Sequence, residues 1–128
     1  MMKYESLLDE YGALEVSEIS MPFEGLYYDG KVWIKKDLSS NKKACILAEE
    51  IGHHETTVGN ILDQSQIGNM KQEYIARKWA YKKLLPLSSI RKAVSFGHTE
   101  IYSMAEYLGV CEEFLADCIK YYIDIGEL

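Results

Sequence analysis

The dipeptide Asp29-Gly30 constrains the fold more than any other local feature, because it separates two short runs rich in β-forming residues. The runs are Leu26-Tyr27-Tyr28 before it and Lys31–Lys35 after it. Asp-Gly between such runs is a strong signal of a β-hairpin. The preceding segment 14–20 alternates apolar and polar residues, as a half-buried strand does. The sequence therefore predicts a small antiparallel sheet over residues 14–35.

Helices are predicted before and after this segment along the chain. Apolar periodicity, capping residues and the position of Pro86 indicate helices over about 3–13, 41–55 and 70–84, and mostly helical structure over 88–128 with breaks at Gly97 and Gly109. Residues 56–60 are expected to end the second of these helices, and 61–69 to form a loop. The fold class is therefore α+β, with a core over residues 1–86 and a helical C-terminal subdomain over 87–128 packed on it.

Composition narrows the classes of partner. The 128 residues are 48% hydrophobic, enough for a real core, and the net charge of -6 argues against binding to nucleic acid or an anionic membrane. No apolar run reaches the roughly 18 residues of a membrane span, and the first residues contain no apolar signal region. Three cysteines without CxxC spacing favour reduced thiols in a cytoplasmic protein.

The predicted helix over 41–55 contains Glu49-Glu50-Ile51-Gly52-His53-His54. Side chains four residues apart on a helix point in nearly the same direction, so Glu49 and His53 could hold one metal ion. Glu50 is turned by about 100° from Glu49 and could reach a water on that ion. This order is that of the zinc-protease motif His-Glu-x-x-His, with Glu49 in place of the first His. Zinc accepts carboxylate as well as imidazole, but a site with one His and two carboxylates would be a weaker Lewis acid.

Two alternatives share this stretch. Glu50 and His54 are also four residues apart, but that pairing leaves no Glu in the position of the base. Binding of one ion by both His53 and His54 is disfavoured because neighbouring side chains on a helix diverge. A third ligand is expected from the next helix, where Glu73 borders an apolar stripe that includes Ala76 and Trp79. Taken alone, each Glu or His of this candidate site would be interpreted as an ordinary residue on the solvated surface.

Several motifs together resemble those of the ImmA/IrrE family of metallopeptidases, which occurs in phages and integrative elements. The resemblance covers essentially the whole chain, and its motifs are 25–34, 42–48, 50–54, 56–59, 73–80, 84–86 and 105–110. It implies a zincin-like domain that binds Zn²⁺ through His53 and Glu73, with Glu49 in the remaining ligand position and Glu50 as catalytic base. The residue that stabilises the oxyanion stays open between His98 and a tyrosine.

The resemblance also implies a partner, a phage-type helix-turn-helix repressor that the enzyme cleaves at a specific site. The alternative is an inactive zincin-like protein that holds the repressor without cutting it. Direct DNA binding by the C-terminal segment is disfavoured, although 103–115 has a helix–turn–helix cadence. Residues 88–128 contain three Lys and Arg residues against seven Asp and Glu residues, whereas a DNA-binding surface needs basic side chains.

Overall fold

The structure, a computed structural model, describes residues 2–56 and 70–128. Its elements in chain order are α1 (Lys3–Glu10), β1 (Glu15–Ile19), β2 (Gly25–Tyr28), β3 (Lys31–Lys35), α2 (Ser40–Thr56), α3 (Met70–Leu84), α4 (Leu87–Ser95), α5 (Ile101–Leu108) and α6 (Glu112–Asp124). The α+β class is confirmed. The helix break predicted at 56–60 and the loop predicted at 61–69 lie outside the described residues, except for Thr56 at the end of α2.

The three strands form one sheet in the order β1-β3-β2. The predicted hairpin is confirmed, since β2 and β3 are antiparallel and both Asp29 and Gly30 have positive φ in the turn. The prediction of a wholly antiparallel sheet is wrong, because β1 pairs with β3 in parallel, with Val16 opposite Val32. Alternating apolar residues indicate which face of a strand is buried, but they do not encode its direction. Strands β1 and β2 form the two edges of the sheet, and β3 lies between them.

The helices follow their sequence signals closely. Ser39 caps α2, since its Oγ accepts a hydrogen bond from the Lys42 backbone N–H at 3.2 Å. The predicted breaks at Gly97 and Gly109 are confirmed, and both residues have the positive φ that glycine adopts at low cost. The C-terminal segment therefore contains three helices, α4 to α6. Helix α1 is shorter than predicted and ends at Glu10.

A single apolar cluster joins the sheet to the helices. Its fully buried side chains include Val32 and Ile34 of β3, Leu47 and Ile51 of α2, and Leu115 of α6. Segments 1–86 and 87–128 thus contribute to one core, and whether they are separate folding units stays a prediction. None of the helices in the described part of the chain combines the length and the apolar character that a membrane span requires.

Candidate metal centre

Helices α2 and α3 approach each other closely at Gly52. A Cβ atom at this position would lie 2.4 Å from the backbone oxygen of Ala76, far inside van der Waals contact. Only glycine allows this approach without a shift of one helix. Glu49 precedes His53 on α2 but faces Arg77, which follows the His53 partner Glu73 on α3, so the two helices run antiparallel. The candidate metal ligands lie on this closely packed helix pair.

His53 and Glu73 meet across the helix pair. The Nε2 atom of His53 lies 3.2 Å from Oε1 of Glu73. Burial opposes protonation of His53, but the hydrogen bond to Glu73 and the nearby carboxylates outweigh it and raise the pKa of the imidazole. The same hydrogen bond lowers the pKa of Glu73. The structure thus brings together two of the three predicted ligands, which lie 20 residues apart in the sequence.

Glu49, one helical turn before His53, faces Arg77 instead. Its Oε1 atom lies 3.9 Å from Nε of Arg77, which is one turn after Glu73 on α3. Burial raises the pKa of Glu49, and the positive charge of Arg77 partly opposes that shift. Arg77 therefore compensates the charge that Glu49 carries when it is ionised.

Glu50 points from α2 toward the hairpin and is partly buried. A Cβ atom on Gly25 would lie 2.9 Å from Oε2 of Glu50 and 2.4 Å from a methyl carbon of Ile46, so a glycine at the start of β2 makes room for this carboxyl group. Burial raises the pKa of Glu50 to about 7, with smaller contributions from His53, Glu49 and Glu73. A carboxyl group with this pKa can both accept and donate a proton near neutral pH.

His54 is held by the hairpin rather than by the other candidate ligands. Its Nδ1 atom lies 2.7 Å from the hydroxyl of Tyr27, and the two rings meet edge to face. The Tyr27 hydroxyl also accepts a hydrogen bond from the Gly30 backbone N–H at 3.3 Å. The alternative pairing of Glu50 with His54 gains no support from these contacts.

His98, a candidate for the oxyanion stabiliser, has its contacts in the C-terminal helices. Its Nδ1 atom lies 2.6 Å from Oγ of Ser103, and its ring stacks on that of Tyr107. Tyr27, in contrast, is a tyrosine in direct contact with a residue of the motif helix. Neither contact involves Glu50, His53 or Glu73, and the residue that would stabilise the oxyanion stays a prediction.

Comparison with known proteins fits this geometry. A family model described as the IrrE N-terminal-like domain, of peptidase family M78, matches residues 19–120. The chain belongs to this family. The match includes the hairpin, both helices of the candidate metal centre and most of the C-terminal segment. No curated protein matches the chain significantly.

Members of the M78 family are zinc-type metallopeptidases, so the donor set can be tested against that ion. Two ligands bound to tetrahedral zinc at about 2.0–2.1 Å lie about 3.3 Å apart. The His53 and Glu73 donor atoms, at 3.2 Å, have this separation. Glu49 is chemically suitable as the third ligand and lies on the same face of α2. Within 2–56 and 70–128, no three His, Cys, Asp or Glu side chains converge as they stand. A three-ligand site would need Glu49 to turn away from Arg77.

Sequence reasoning did not assign roles to Arg77, Tyr27 or the two close-approach glycines of this M78 domain. A signal for Arg77 was present, because Glu73 and Arg77 are four residues apart, as are Glu49 and His53. The opposite charges of these two pairs could have been used to predict that Glu49 faces Arg77 and that His53 faces Glu73. The close approaches at Gly25 and Gly52 depend on tertiary packing, which leaves no local signal. The ligand roles of Glu49, His53 and Glu73 and the base role of Glu50 stay predictions.

Proposed function

We propose that this M78-family protein is a zinc-dependent endopeptidase that cleaves a helix-turn-helix repressor of a phage or mobile element. The observation that carries the proposal is the position of Glu50, whose partly buried carboxyl group has a pKa of about 7 beside the His53–Glu73 pair. Peptide hydrolysis needs a group that takes a proton from water and returns it to the leaving amine. Glu50 has the pKa and the surroundings for both steps.

Each residue of the site has a part in this chemistry. His53 and Glu73 would hold the zinc ion, with Glu49 as third ligand, and a bound ion would polarise the scissile carbonyl and acidify water. Ionised Glu50 accepts the proton of the attacking water, and protonated Glu50 gives it to the amine nitrogen as the C–N bond breaks. The β2 backbone at Gly25 and the apolar wall from Ile46 exclude bulk water from one side of this carboxyl group.

The test is Glu50→Gln, which keeps the shape of the side chain and removes its base. The substrate is a purified helix-turn-helix repressor of the same phage or mobile element, incubated with the zinc-loaded enzyme. We expect the cleavage rate to fall by about 10²- to 10⁴-fold with zinc binding retained. Glu55→Gln is the matched control, because Glu55 is an exposed carboxylate of the same helix. Unchanged cleavage by Glu50→Gln would remove Glu50 from the mechanism.

The choice of a protein substrate has support from the surface. Phe96 and Tyr107, which are 63% and 41% exposed, have ring centroids 6.2 Å apart beside the junction of α4 and α5. Large apolar side chains that lie together on a surface are typical of partner-binding sites. The net charge of -6 favours a protein partner over DNA. The three free thiols of the chain suit the cytoplasm, where such a repressor would be met.

A second candidate is a binding protein that retains the fold and holds the repressor without cutting it. The Glu49–Arg77 ion pair favours this alternative, because a metal ion must compete with Arg77 for the carboxylate. Zinc content separates the two functions. The enzyme should take up stoichiometric zinc from a competing chromophoric chelator, whereas the binding protein should take up none and still form a complex with the repressor.

A further inference from the structure

Two cysteine side chains meet where the motif helix touches the start of α6. The Sγ atoms of Cys45, in α2, and Cys111, the residue before α6, are 3.6 Å apart, although the residues are 66 positions apart in the sequence. Cys45 is buried and Cys111 is half-buried. Both line a cleft of about 180 Å³, which also contains Lys42 and Glu49. A small solute can therefore approach Cys111 from the cleft.

The surroundings of Cys111 favour its thiolate. The hydrogen bond between the two thiols lowers the pKa of Cys111 to about 6. Burial opposes this shift, while a hydrogen bond from the Phe114 backbone and the charge of Lys42 assist it. The same contact with Cys111, together with burial, raises the pKa of Cys45. The thiolate is the reactive form of cysteine, so the pair consists of an accessible nucleophile and a protonated neighbour.

We propose that Cys45 and Cys111 are a peroxide-reactive thiol pair, which forms a reversible disulfide between the motif helix and the start of α6. The proposal is independent of the metal and of peptide cleavage. Neither residue belongs to the proposed catalytic machinery, and nothing in the proposed hydrolysis uses a thiol.

The chemistry needs hydrogen peroxide as its oxidant. The Cys111 thiolate attacks one peroxide oxygen, the O–O bond breaks, and hydroxide leaves, which gives a sulfenic acid at Cys111. The Cys45 sulfur then attacks the Cys111 sulfur, the S–O bond breaks, and the Cys45 proton leaves with that oxygen as water. Two thiols and one peroxide thus give one disulfide and two waters. A dithiol reductant returns both thiols.

The geometry permits the bond. The sulfur atoms are already in contact and need to approach from 3.6 Å to about 2.05 Å. The bond would close a long loop that contains the second half of α2, α3 and both helices after it. Such a cross-link restricts the unfolded chain strongly, and we expect the melting temperature to rise by about 5 °C or more.

The experiment uses the full-length, fully reduced protein with a metal chelator present. Hydrogen peroxide is added in slight excess, and free thiols are counted in denaturant. We expect the three thiols of the wild type to fall to one, since the disulfide consumes two. Peptide mapping should identify Cys45 linked to Cys111, and a dithiol reductant should restore all three thiols and the original melting temperature.

Single variants distinguish this pair from general oxidation. Cys111→Ser should keep both remaining thiols, and Cys45→Ser should accumulate a Cys111 sulfenic acid that a cyclic dione traps. Cys118→Ala is the matched control, because this buried cysteine of α6 has no part in the pair, and its variant should lose both remaining thiols. If that variant fails to fold, peptide mapping of the wild type still identifies the linked pair. Three surviving thiols in the wild type, irreversible over-oxidation of Cys111, or a disulfide between two molecules would each overturn the proposal.

Discussion

At the scale of single residues, the environment that gives Glu50 its raised pKa also lowers the free energy of unfolding when Glu50 is ionised. Burial raises its pKa to about 7, above the ordinary value of 4.5 that it regains in the unfolded chain. Between pH 4.5 and 7 the native protein therefore binds more protons than the unfolded chain. The free energy of unfolding falls as pH rises through this window, because ionisation of a buried carboxyl group favours the unfolded state.

Glu50→Gln should remove this pH dependence. In the metal-free protein we expect the variant to be more stable than the wild type by about 1–3 kcal/mol at pH 8, and nearly equal to it at pH 4.5. Urea denaturation in chelator at the two pH values measures the difference. Glu55→Gln, with an exposed side chain, should show no such change. An equal difference between Glu50→Gln and the wild type at both pH values would contradict the burial of the charge.

The residues of the site were predictable to the extent that helix geometry fixes them. The spacing of Glu49, Glu50 and His53 follows from 3.6 residues per turn, and Glu73 was assigned from the next helix. The partner of Glu49 was not predictable in the same way. Arg77 is 28 residues away in the sequence, and its contact depends on how two helices align.

At the scale of elements, the contact between α2 and α3 depends on Gly52. Alanine favours a helix interior by about 1 kcal/mol over glycine, so a free helix would be stabilised by Gly52→Ala. In this protein the added methyl group would collide with the Ala76 carbonyl. We expect the variant to lose about 1–3 kcal/mol of unfolding free energy, as overpacked sites do.

The urea midpoint of Gly52→Ala measures this loss. Gly12→Ala is the control, because a Cβ atom there would make only an ordinary contact, 3.7 Å from the Asp9 backbone oxygen. A Gly52→Ala protein as stable as the wild type would mean that the two helices can separate at no cost.

The elements themselves were largely predictable from local signals. The hairpin followed from Asp29-Gly30, and the helix breaks in the C-terminal segment followed from Gly97 and Gly109. The parallel pairing of β1 with β3 was not predictable from alternation, which is identical for either strand direction. Strands β2 and β3 both pack against α2, a tertiary contact that has no local signal in the sequence.

At the scale of the whole molecule, Tyr122 ties the C-terminal helices to the rest of the core. Its hydroxyl, on α6, donates a buried hydrogen bond of 2.8 Å to the Leu85 carbonyl, just after α3. Tyr122→Phe leaves that carbonyl unsatisfied and should cost about 1–2 kcal/mol. If segments 1–86 and 87–128 unfold as one unit, the loss should appear equally in both segments.

The two tryptophans make this measurable, since Trp33 and Trp79 both lie in the first segment. We expect tryptophan fluorescence and far-ultraviolet circular dichroism to show the same shift of the urea midpoint for Tyr122→Phe. Tyr102→Phe, at an exposed position of α5, should leave both midpoints in place. A shift in circular dichroism without a shift in fluorescence would indicate two separate folding units.

The two ion pairs between α2 and α3 also select how the helices align along their axes. Glu49 faces Arg77 and His53 faces Glu73 in the observed alignment. Because the helices are antiparallel, sliding one of them by a turn would place Glu49 against Glu73, or His53 against Arg77. The first slip brings two carboxylates together. The second brings two positive charges together when His53 is protonated. The charges of this helix pair thus favour a single axial alignment. In this alignment His53 and Glu73 are already side by side before any ion binds.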